Sequence, residues 1–84
     1  MNDTAGKIIK EYRKTAGITQ WELAENINEV LRALNIRASY SKGAVCNWER
    51  GRSYPDRRVI DIMRDNGIDT QLAILFKHIW EVTK

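Results

Sequence analysis

A chain of 84 residues suffices for one small domain with a modest core and is too short for two. Apolar residues make up 43% and charged residues 30%, which excludes the charge-rich composition of disorder, and the formal net charge is only +3. A lone cysteine, Cys46, and a lone histidine, His78, exclude an internal disulfide and a Cys/His zinc site. No apolar run approaches the roughly 18 residues of a membrane span, and the first residues lack the apolar stretch of a signal peptide, so the expected location is cytoplasmic.

Thr4 is placed to cap a first helix carrying Ile8, Ile9 and Tyr12 at helical spacing, with Gly17 as its left-handed stop. Thr19 followed three residues later by Glu22 forms a capping box that opens helix 2 at about Gln20. Leu23, Ala24, Ile27, Val30, Leu31 and Leu34 trace one apolar face, opposite Glu22, Glu25, Asn26, Glu29 and Arg32, so the spacing predicts a long helix running through Leu34. Asn35 to Tyr40 break the pattern. Ser41 then caps a short helix 3, whose Val45 and Trp48 lie one turn apart and face inward, and Gly51 ends it.

Arg52 to Asp56 reads as an extended connection, because Pro55 disfavours a helical Tyr54, and Asp56 is placed to cap helix 4 over Arg57 to Asp65. Asn66-Gly67 stops that helix. Asp69 or Thr70 restarts the chain into a final helix over 70–83, lined by Leu72, Leu75, Phe76 and Ile79. The expectation is an all-α single domain over 1–84.

Charge is unevenly placed along this chain. Between Arg37 and Arg58, six basic residues (Arg37, Lys42, Arg50, Arg52, Arg57, Arg58) stand against Glu49 and Asp56, while the remainder nearly cancels. Such a stretch suits a polyanion, but taken alone it is more often an ordinary solvated face, so the motifs have to decide. Helix 3 carries Lys42, Gly43, Cys46 and Asn47 on or near its outward side, which is the arrangement of a helix that reads DNA.

Three stretches fix a resemblance: Gly17-Ile18-Thr19-Gln20-Trp21-Glu22-Leu23-Ala24, then Ser41 to Val45, then Trp48-Glu49-Arg50-Gly51 followed by Pro55. Together they resemble the phage repressor and Cro-like helix-turn-helix family of transcriptional regulators, the xenobiotic-response-element type, over roughly Lys7 to Met63. The resemblance implies a compact five-helix lambda-repressor-like DNA-binding domain. It implies Lys42, Gly43, Ala44 and Asn47 as residues at the base edges, with lysine suited to guanine, asparagine to adenine and Ala44 to a thymine methyl. It further implies Gln20 and Ser41 as phosphate contacts that set register, Arg50 and Arg52 as phosphate contacts beyond helix 3, and Arg13 with Glu49 as a structural ion pair. Gly43 departs from the longer polar residues common at that position. The spacing between Ala24 and Trp48 also exceeds that of a typical member, so helix 2 is extended and the return loop carrying Arg37 is long enough to touch the DNA backbone or a partner.

The last helix has more apolar surface than one stripe requires, which makes Leu72, Leu75, Phe76, Ile79 and Trp80 candidates for a homodimer interface that would double the DNA contacts. Closing the small core is the other use for Phe76 and Trp80. Trp48 reads as core and Cys46 as a small filler, whereas Trp21 is open to either exposure or cover by helix 2. No nucleophile, second base or phosphate-binding loop accompanies His78, so no enzyme and no cofactor are expected. The function these residues imply is a double-stranded DNA-binding regulator, most simply a repressor that occupies its operator. The alternative is an antitoxin-like module that binds a protein partner and also DNA.

Overall fold

The computed structural model describes residues 4–84, in which five α-helices and no strand occur. They are α1 (Thr4–Ala16), α2 (Gln20–Ala33), α3 (Lys42–Glu49), α4 (Arg57–Arg64) and α5 (Thr70–Thr83). Thr4 is the first helical residue of α1 rather than its cap, and the position before it lies outside the described residues, as do the other residues of 1–3.

The helix boundaries follow local chemistry. Thr19 and Glu22 form the full capping box at the start of α2. Ser41 accepts from the Ala44 amide at the start of α3, and Asp69 accepts from Leu72 at the start of α5. Asp56 does occupy the N-cap position of α4, but it makes no side-chain capping bond; its carbonyl accepts from Ile60.

Three helices end in the same way. Gly17, Asn35 and Gly51 take positive φ of 70°, 59° and 72°. Each is followed by an amide that reaches back five residues: Ile18 to Arg13, Ile36 to Leu31 and Arg52 to Asn47. This is the left-handed stop that satisfies the last helical carbonyls. Accordingly α2 ends at Ala33, with Leu34 as its C-cap, and Leu34 is exposed rather than part of the apolar face. At the end of α4 the work falls to Asn66 and not to Gly67: the asparagine's side-chain N–H donates to the Met63 carbonyl, and its side-chain oxygen accepts from the amides of Ile68 and Asp69.

In the packed arrangement α1 touches both α3 and α5, α2 packs on α3, and α4 pairs with α5. One core joins all five, with Ile9 of α1, Leu23, Ile27 and Leu31 of α2, and Val45 and Trp48 of α3 meeting Ile60 and Met63 of α4 and Phe76 and Ile79 of α5. The extra apolar surface of α5 is used inside this core. Leu72, Leu75, Phe76 and Ile79, expected as interface candidates, are all buried within the protomer. Trp80 is half-buried, with the Arg64 guanidinium and the Lys84 ammonium 4.8 and 4.6 Å from its ring centre. A small domain has no apolar side chains to spare, so closing the core takes precedence. The large apolar side chain that α5 leaves exposed is Ile74.

No helix among the described residues is long and apolar enough to cross a membrane.

Candidate nucleic-acid interface

Helix α3 has two unlike faces. Val45 and Trp48 are buried, while Ser41, Lys42, Gly43 and Asn47 are exposed and Cys46 is half-buried. Ala44 is also half-buried and packs against the core, so it offers less outward surface than its neighbours. A Cβ added to Gly43 would meet only the Ser41 hydroxyl oxygen at 3.5 Å, an ordinary contact. The helix therefore presents a smooth notch between Lys42 and Asn47.

Basic residues flank that helix in the chain. Arg37 precedes it, Arg50 and Arg52 follow it, and all three are exposed with Lys42. None of the four forms an ion pair among the described residues, unlike Arg13 and Arg64. Exposed cations without carboxylate partners keep their full positive charge available to a polyanion.

The C-terminal end of α3 is held by a junction of three elements. Arg13 of α1 makes a two-pronged contact with Glu49, Nε to Oε2 at 2.8 Å and Nη2 to Oε1 at 3.1 Å. Its remaining nitrogen, Nη1, donates to the Ile18 carbonyl in the α1–α2 turn. Gln20 does not stand free at the start of α2: its amide nitrogen donates to Glu49 Oε1 at 3.2 Å. The expected phosphate contact is thus engaged within the protein through one N–H, which shares Oε1 with Arg13, and a side-chain amide has a second N–H to offer. Burial raises the Glu49 carboxyl, but the hydrogen bonds from Arg13 and Gln20 and the charges of Arg13 and Lys10 outweigh it and hold the group below its ordinary value. The bond to Glu49 raises Arg13 in turn.

Two anchors of α3 escape a reading of the sequence. Gly6 sits where α1 crosses the end of α3, and a Cβ there would stand 2.5 Å from the Trp48 carbonyl oxygen and 2.8 Å from that of Glu49. Asn28, only 5% exposed, reaches across from α2 and pairs with the backbone of Tyr40, donating to its carbonyl and accepting from its amide, both at 2.8 Å. Its neighbours in the connection alternate, with Ile36, Ala38 and Tyr40 turned toward the core and Arg37 and Ser39 outward. The Tyr40 ring then meets Trp48 edge-on at 4.8 Å between centroids. A buried asparagine seven residues after Trp21 and a glycine one turn into a helix were the available signals, and both are ambiguous without a partner in view.

Trp21 is 59% exposed at the start of α2, which settles the alternative left open by the sequence. Among the described residues no group of three His, Cys, Asp or Glu side chains converges. Comparison with protein-family models, with curated proteins and with solved structures returns no match for this chain.

Proposed function

We propose that this protein binds double-stranded DNA sequence-specifically, with the outward face of α3 in the major groove, and that it regulates transcription by occupying an operator. The observation that carries the reading is the two-sided character of α3. Its inner side is locked by Val45, Trp48 and the Glu49 junction, and its outer side offers Lys42 and Asn47, with the exposed, unpaired Arg37, Arg50 and Arg52 before and after the helix in the chain. A reading helix needs this combination, since base contacts discriminate only if the helix carrying them cannot reorient.

Lys42 and Asn47 supply donors and an amide to base edges, Gly43 allows close approach, and Arg37, Ser41, Arg50 and Arg52 meet phosphates. Gln20 keeps one N–H for a phosphate while the other holds Glu49. The motif resemblance to the phage repressor and Cro-like family supports the same assignment. In this reading two copies act together on a palindromic site, and the apolar surface open for pairing is the groove of Ile8, Tyr12 and Ile74 between α1 and α5.

Selection of sites from random duplex DNA, followed by titration of the best site, tests the proposal. A short enriched motif is expected. The double variant Lys42→Ala, Asn47→Ala should lose preference for it while keeping salt-sensitive binding to any duplex. Absence of any enriched sequence would sink the reading.

A further inference from the structure

Among the large apolar side chains left in solvent, Trp21 is the most exposed, and its place on α2 is not neutral. It precedes Asn28 by seven residues, two helical turns, and so shares the flank of α2 from which Asn28 reaches the chain entering α3. Its chain neighbour Gln20 touches Glu49 at the other end of α3. By that spacing Trp21 lies on the same flank of α2 as Asn28, next to Gln20, the residue that reaches the end of α3.

We propose that Trp21 is a DNA-backbone contact of this protein: its ring packs on a deoxyribose and its Nε1–H donates to the adjoining phosphate. The inference rests on the DNA-binding reading and deepens it. No lysine or arginine occurs between Lys14 and Arg32, so an ordinary basic contact is missing at this edge. An indole fits such an edge because it combines a neutral apolar face with one donor and adds no charge. Contact with sugar and phosphate carries no base information, so Trp21 contributes affinity and docking angle rather than sequence preference.

Intrinsic fluorescence gives the test. The other two tryptophans differ in environment, Trp48 being buried and Trp80 half-buried under Arg64 and Lys84, and the native signal minus that of Trp21→Phe isolates Trp21. Mixed-sequence duplex of about 30 base pairs is titrated at low salt, where sequence-independent binding is strongest. The Trp21 emission is expected to shift to the blue and lose its quenching by iodide. Trp21→Ala, with its fold checked by circular dichroism, should weaken binding about tenfold, equally for mixed duplex and for a selected site, through lost contact area and one lost hydrogen bond. Duplex binding with unchanged Trp21 emission and full affinity in Trp21→Ala overturns the assignment and leaves the DNA reading standing. No duplex binding by the native protein overturns both. A blue shift that grows with protein concentration before DNA is added assigns the indole to a protein contact instead.

Discussion

Asn28 holds both backbone polar groups of Tyr40, twelve residues away, through two hydrogen bonds of 2.8 Å. A side-chain amide has one donor edge and one acceptor edge, which lets it stand in for the neighbouring strand that an extended segment would otherwise need. Leu and Ala at position 28 leave the Tyr40 amide and carbonyl without partners in a half-buried place. Asn28→Ala is expected to cost about 2 to 3 kcal/mol in urea unfolding, and amide exchange at Tyr40 should speed up well beyond the global change. Unaltered exchange at Tyr40 would show that the clamp is not what orders this segment.

The Arg13–Glu49 pair predicts a pH dependence of stability. The Glu49 value is lowered in the folded state, so the pair contributes stability above the unfolded carboxyl value of about 4.3, and that contribution is lost as pH falls through the folded value. Glu49→Gln should flatten this acid limb. At neutral pH, with side-chain exposures of 18% for Arg13 and 6% for Glu49, either single truncation should cost about 2 to 4 kcal/mol, somewhat below a fully buried pair. An acid limb of unchanged steepness in Glu49→Gln would assign it to other carboxylates.

Gly6→Ala tests the crossing of α1 over α3. Alanine favours a helix over glycine by about 1 kcal/mol, yet here its methyl would press on two backbone carbonyls that cannot rotate away. A net loss of about 1 to 3 kcal/mol is expected, read as a drop in melting temperature. Stabilisation would mean that the helices separate at little cost.

Gly43→Ala is predicted to have the opposite sign. The added methyl meets only the Ser41 oxygen at an ordinary distance, so the variant should gain up to about 1 kcal/mol of stability in α3. Site selection with this variant should return an altered base preference at one position. A stabilised protein with an unchanged motif would remove residue 43 from the reading surface.

Local chemistry made most of the fold legible. Thr19 with Glu22, Ser41, Gly17 and Gly51 each act through backbone groups within a few residues, and the structure uses them as their spacing predicts. Long-range choices were harder. Apolar excess on α5 has the same pattern whether a second protomer or α1 and α4 cover it, and only the packed arrangement shows Leu72, Leu75, Phe76 and Ile79 inside. Gln20 is a similar case, because an amide that suits phosphate suits the Glu49 carboxylate equally well. Asn28 falls on the buried side of α2, yet as a polar residue amid an apolar stripe it reveals nothing until its partner Tyr40 is located.

Holding α3 to α2 at both ends, through Asn28 near its start and Gln20 near its finish, makes the aim of the helix independent of the chain that leads into it. Within segment 35–39 the outward positions Arg37 and Ser39 are then permissive, while Asn35, Ile36 and Ala38 stay tied to the helix stop and the core, and residues added between them cost about 0.6 kcal/mol for each doubling of loop length. New charges or contacts for a different partner can be grafted onto this surface without turning the reading face.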